Sequence, residues 1–280
     1  MIALHAWRSA DSIRQFRERF PDRPLIVALT GTDIYDYIHR DPAPTLRSLA
    51  LADRLVALQD LAYRQVPARF RRKIRVIHQS APPLRRGVRE AARTFDVAVI
   101  GHLRAVKDPF RAAAAARRLP AGSRIRIIHL GAAETGRWAS TARHEMRANR
   151  RYVWRGDRPR ADVRRLFGRA RAMVLSSLQE GGANVISEAV AAGVPVLASR
   201  IDGSVGLLGR NYGGYFPVGN TAALTRLLRR IETDPEFLKS LQDAVTRRAP
   251  LFRPARETDA WKKLLGEVAP RSARPKLTRK

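Results

Sequence analysis

RAMVLSSLQEGGANVISEAVAAGVPVLAS, residues 171–199, holds two short apolar runs separated by a glycine loop and a stretch with helical spacing. The runs RAMVLSS (171–177) and VPVLAS (194–199) show no polar alternation, so both faces of each strand are expected to be buried. Between them, 183–192 repeats its apolar residues at the period of a helix. Strand, helix and strand in that order make the repeating unit of a parallel sheet covered by helices on both faces.

The same rhythm extends in both directions. Between residue 95 and that stretch, further strands are expected at 95–101, 124–131 and 151–156, with helices at 108–118, 134–149 and 159–169; beyond it, helices are expected at 221–232 and 235–247. Towards the N-terminus, MIALHA opens the chain as a strand, followed by strands at 24–30, 54–58 and 73–79 and helices at 9–20 and 43–52. SAPPLRRGVREAART (80–94), with its prolines, glycine and charges, reads as a linker.

The expected organisation is therefore an α/β protein with two Rossmann-like domains, parallel sheets facing across a cleft. The first domain spans 1–90 and the second 91–250, followed by a C-terminal helix at 251–269 and a basic tail at 270–280. Only about four strands precede the linker and no βα unit leads them, so the first domain reads as N-terminally truncated.

Composition narrows the function. Nearly half the 280 residues are hydrophobic (45%), enough for one large core or two modest ones. The chain has no cysteine, which excludes disulfides, thiolate metal sites and a cysteine nucleophile. No apolar run approaches the roughly 20 residues of a bilayer span, and the first residues lack a signal peptide's order, so a cytoplasmic location is expected.

The net charge of +29 suits an anionic substrate or an acidic membrane surface. Nucleic acid is not expected as the partner. Only seven of the 54 basic residues are lysine, the arginines form no single stripe, and aromatic RNA-binding signatures are absent.

Two loops carry candidate chemistry. AVIGHLRAVKDPFRAA (98–113) runs from strand to helix: Gly101 permits a tight exit, Arg104 and Lys107 supply cations, and Asp108-Pro109 starts the helix. In the second loop, Glu180 precedes Gly181 and Gly182, Asn184 stands at the helix start, and Glu188 lies about 9 Å further along the axis.

The glycines let backbone N–H groups approach a ligand, and the helix end favours an anion. Two carboxylates flanking such a site suit a ligand with hydroxyls at both ends and phosphates between, the layout of a sugar nucleotide. The bland alternative is a loop-capping Glu180 and a Glu188 paired to a surface arginine. His5 and His129 read as satisfied core or cleft residues, and the sequence contains no metal-ligand cluster.

EGGANVISE (180–188) matches the E-x7-E pattern of retaining, family-4-like GT-B glycosyltransferases, GHLRAVK (101–107) resembles their phosphate loop, and EAVAAGVPVLAS resembles the following helix and strand. His102 stands where that family has arginine. The resemblance implies a UDP-sugar donor and no cofactor or metal. Arg104, Lys107 and Glu180 would be catalytic, while Gly101, Gly181, Gly182, Asn184 and Glu188 would hold the donor.

TGTDIYDYI (30–38) echoes the family's acceptor loop, which places Thr30, Gly31 and Asp33 on the acceptor side; Asp33 alternatively caps the helix beginning near Ile34. Stretches including LHAWRSA, VIHQSAPP and RRAPLFRPARE further resemble the selenosugar synthases of selenoneine biosynthesis. That resemblance implies selenophosphate as acceptor. The alternatives are an ordinary family-4 enzyme acting on a cell-envelope saccharide or lipid, and an impaired fragment that only binds the nucleotide sugar.

Overall fold

The structure, a computed structural model, describes residues 1–84 and 93–269. The greater part of the expected linker and the basic tail at 270–280 lie outside the described residues. The chain divides into two compact units, one comprising Met1–Ser80, Glu180–Gly182 and the segment from Pro254, the other Ala81–Gln179 and Ala183–Arg253.

The first unit is built on β1 (Ile2–Leu4), α1 (Ala10–Arg19), β2 (Ile26–Ala28), α2 (Ile38–Arg40), α3 (Pro42–Leu51), β3 (Arg54–Ala57) and β4 (Ile74–Val76). Its four strands pair in chain order, all parallel, with Ile26 opposite Ile2 and Arg54, and Leu55 opposite Ile74. Alternate residues serve two cores, as the two-residue period of a strand requires. Leu25, Val27, Leu29 and Leu55 pack with Ile13 of α1 and Leu49 of α3. Ile26, Ala28, Val56 and Ile77 pack with Leu264 of the last helix, Pro254–Val268. Burying a side chain such as Leu264 stabilises the unit by about 2 kcal/mol.

The second unit contains β5 (Phe95–Ile100), α4 (Arg111–Arg117), β6 (Ile125–Leu130), α5 (Gly136–Ala148), β7 (Tyr152–Trp154), α6 (Arg160–Arg169), β8 (Ala172–Leu175), α7 (Asn184–Ala191), β9 (Val196–Ser199), α8 (Asp202–Leu208), β10 (Tyr215–Phe216), α9 (Thr221–Thr233) and α10 (Pro235–Arg248). The terminal helix of the first unit is α11 (Pro254–Val268). The six strands of the second unit are parallel in the order β10-β9-β8-β5-β6-β7. All nine expected strands are present.

The structure adds β10, whose two residues sit between Gly213-Gly214 and Pro217 and so read as turn in sequence. It also corrects the start of α4. Asp108 adopts φ 44° and ψ 56°, and the helix begins at Arg111 rather than at Asp108. The helical region is disfavoured for a residue before proline, and aspartate tolerates the left-handed one. No helix of the described residues is long and apolar enough to cross a membrane.

Candidate active site

The order of the second sheet reverses at β5, which is flanked by β6 on one side and β8 on the other. Connections leaving β5 and β8 diverge there, and ligands of such sheets bind in the resulting crevice at the carboxyl ends of the strands. The two loops that start there are those the sequence singled out, 101–107 and 176–183.

Within the second unit these loops are bonded to each other. Leu178 N–H donates to Val106 O at 2.8 Å. The buried Ser176 hydroxyl donates to Lys107 O at 3.1 Å or Asp108 O at 2.9 Å, and Ser199 holds Ser177 O at 2.6 Å. Leu103, fully buried, anchors the first loop through Ala132 O at 2.8 Å, and Arg104 follows it exposed. Lys107 ends a short turn, Ala105–Lys107, and is half-buried.

The glycines divide by cause. Gly101 has no left-handed φ, and a Cβ built on it would meet nothing within 4 Å. The tight exit expected of Gly101 is instead required of Gly131, whose Cβ would run into the Gly101 carbonyl. Gly181 and Gly182 pack within the first unit: a Cβ on Gly181 would collide with the Thr30 carbonyl and Gly31 N, and one on Gly182 with the Leu58 side chain, 3.2 Å from Leu58 O. A Cβ on Gly31 would lie 2.9 Å from Gly181 N. Close chain-to-chain approach therefore accounts for this pair without any ligand.

α7 begins at Asn184, and its N-cap is Ala183, whose methyl cannot satisfy the orphan N–H groups. Asn184 is exposed there. Glu188 lies one turn along, half-buried, with Arg160 at 3.6 Å. Burial pushes its carboxyl above the usual carboxylate range, and Arg160 and Arg164 oppose that rise. The arginine pairing weighed from sequence is thus present. Glu180 is half-buried in the first unit.

Asp33 is completely buried. Its carboxylate accepts Ile34 N–H at 3.0 Å at the helix start, but it also accepts Ala6 N–H at 3.0 Å and Thr30 N–H at 2.9 Å. Asp33 is itself the first residue of the helical turn Asp33–Tyr37, whose N-cap is Thr32 and has no side-chain cap bond, so it is not the cap expected from sequence; it ties the acceptor-side loop to the chain beyond β1 instead.

His129 has a role that sequence did not reveal. Its Nε2 lies 3.0 Å from Gly101 O and its Nδ1 2.9 Å from Tyr152 Oη, so a buried side chain fixes the carbonyl from which the first loop departs. Burial pushes its pKa down to about 4, partly offset by the bond to Gly101. A histidine ending an apolar strand was the only signal available.

Along α6 runs a cavity of about 290 Å³, walled by Arg155, Arg158, Arg165 and Arg169 over Ile128 and Leu130; it holds none of the expected site residues. Among the described residues no three His, Cys, Asp or Glu side chains group to hold a metal.

The sequence profile of the family "Glycosyl transferases group 1" matches residues 82–248. The fold is similar to that of Anabaena HepE in complex with UDP (17% identity over 95% of this chain and 78% of HepE, TM-score 0.77). It is also similar to sucrose-phosphate synthase from Thermosynechococcus elongatus (19%, covering 95% and 73%, TM-score 0.78) and to the lipopolysaccharide outer core galactosyltransferase WaaB in its apo form (14%, covering 96% and 75%, TM-score 0.70). These likenesses place the two parallel-sheet units in the GT-B fold class. No curated protein matches the sequence. With more than half of its residues inside the family match, the chain belongs to the group 1 glycosyl transferases and is a glycosyltransferase.

Proposed function

We propose that the enzyme transfers a sugar from a UDP-sugar to selenophosphate. The observation that carries the donor half is the loop at the switch point of the second sheet, with open space at Gly101 and with Arg104 and Lys107 close behind it. Cations and an uncapped helix end stabilise the charge that develops on a departing diphosphate. That HepE was crystallised with UDP and with UDP-glucose supports a uridine donor.

In this reading Arg104 and Lys107 offset the charge on UDP, Gly101 and Asn184 line the donor, Glu180 positions the sugar and Glu188 the ribose. Selenium attacks the anomeric carbon, the carbon–selenium bond forms, and UDP leaves with the electron pair of the broken carbon–oxygen bond.

The acceptor half is supported by the loop at Thr30, Gly31 and Asp33. By the family resemblance, Thr30 stands where a histidine is usual, and threonine is not titratable in the working range. An acceptor that is already anionic has little need of a titratable base there, since no proton must be removed. The second reading, a saccharide or lipid acceptor, is favoured by the fold likeness to WaaB.

Mass spectrometry of a reaction with UDP-sugar and freshly generated selenophosphate separates the two. A sugar carrying the selenium isotope pattern, formed together with UDP, is expected. UDP release without a selenium product would contradict the selenophosphate half and favour the second reading.

A further inference from the structure

The donor chemistry leaves one polar cluster of the first unit unused. His5 follows β1 with φ 71°, in the left-handed region that is uncommon for residues other than glycine. Its own N–H donates to Ala28 O at 2.9 Å, its ring Nδ1 accepts Arg8 N–H at 3.1 Å, and its Nε2 lies 2.8 Å from Thr32 Oγ1. A backbone N–H can only donate, so Nδ1 carries no proton. The proton of the neutral ring is therefore on Nε2 and is donated to Thr32. Burial, which lowers the His5 pKa against the opposing charge of Asp33, keeps the ring in that neutral form.

The consequence falls on Thr32. Its oxygen already receives the His5 proton, so its own hydroxyl proton must point elsewhere. The neighbouring Asp33 carboxylate is occupied by Ala6 N–H, Thr30 N–H and the Thr30 hydroxyl at 3.2 Å. Among the described residues no acceptor for the Thr32 hydroxyl is present, and Thr32 is exposed. It therefore offers an outward-directed donor just beyond the carboxyl end of β2, the edge at which parallel sheets bind ligands.

We propose that Thr32 is a specificity-determining donor for the acceptor, oriented by His5, and that its hydroxyl bonds an oxygen of a phosphate-type anion. The proposal deepens the reading above and rests on the acceptor being such an anion. A hydroxyl held as a donor suits an oxyanion, which offers only acceptors and makes the stronger, charge-assisted bond. His5 acts through Thr32 and is a positioning residue.

The test is the affinity of the full chain for inorganic thiophosphate, followed by phosphorus NMR, in wild type, Thr32→Val, Thr32→Ser, His5→Asn and the Thr32→Val/His5→Asn double variant. Asparagine tolerates the left-handed backbone, so His5→Asn keeps the chain path. Thr32→Val is expected to weaken binding about tenfold, the worth of one hydrogen bond to a charged group. Thr32→Ser should retain wild-type affinity. The double variant should be no weaker than Thr32→Val alone, because His5 has no route to the anion except through the hydroxyl.

Equal affinity in wild type and Thr32→Val, or additive losses in the double variant, would overturn the proposal. Turnover with selenophosphate separates the two readings. If wild type makes no selenosugar while thiophosphate affinity still depends on Thr32, the selenium reading fails and this one stands. If wild type turns over and Thr32→Val leaves the KM for selenophosphate unchanged, this one fails alone.

Discussion

Gly101 and Gly181 stand in equivalent settings, each in a loop between a buried strand and the next helix, yet they are glycine for opposite reasons. Beside Gly101 there is open space; the place of a Gly181 side chain is taken by the backbone of Thr30 and Gly31. One loop is empty where a ligand could approach, and the other is filled by the protein itself. A glycine in a strand-to-helix loop is therefore not by itself a sign of one cause; only the fold shows which of the two is fixed by close chain packing.

The largest effect that can break this contrast is Gly181→Ala. Backbone atoms cannot move aside as a flexible side chain can, so the added methyl should cost about 3 kcal/mol. Thermal denaturation should show a clearly lowered melting temperature; an unchanged one would mean that the close approach is not needed in the folded protein.

An effect of similar size is expected from acid, acting on the buried histidine under Gly101. His129 titrates near its ordinary value of 6.5 when unfolded and at about 4 when folded, so between those values the unfolded chain binds the extra proton. The stability it contributes is complete above pH 6.5 and is lost as pH falls towards 4, on the order of 3 kcal/mol. Urea denaturation across that range should give a steeper decline for wild type than for His129→Gln. Parallel pH profiles would remove His129 from the account.

Lys107→Ala sharpens the ligand side of the comparison. It should reduce turnover about a hundredfold, the worth of one group stabilising the leaving charge. Wild-type rates of UDP release would refute its assignment. The smallest effect on stability is expected from Gly101→Ala, which should change it by less than about 1 kcal/mol, since the added methyl meets nothing.

Much of the frame was legible in the sequence, because it rests on local apolar runs. β5, β6, β8 and β9 are buried on both faces and read as such, and the switch-point loops follow from their order. What was not legible depends on contacts between residues far apart in the chain. The collision that fixes Gly131 involves Gly101, and the one that fixes Gly181 involves Thr30. Asp33 is bonded to Ala6, 27 residues away, and His129 to Gly101, 28 residues away.

Two misses were local. The start of α4 was recoverable from Asp108 standing before Pro109, and β10 was hidden by the glycines and proline around its two residues. The candidate site was legible as a set of residue types. The reasons for Gly181 and Gly182 were not legible, because distant parts of the chain account for them.

The central claim is that the open space at Gly101 receives the donor nucleotide. Calorimetric titration of UDP into wild type and Gly101→Val tests it directly, because valine fills that space without meeting any neighbouring atom within 4 Å at its Cβ. The account predicts a Gly101→Val protein that melts like wild type and has lost UDP binding. A Gly101→Val protein that binds UDP as tightly as wild type would contradict it.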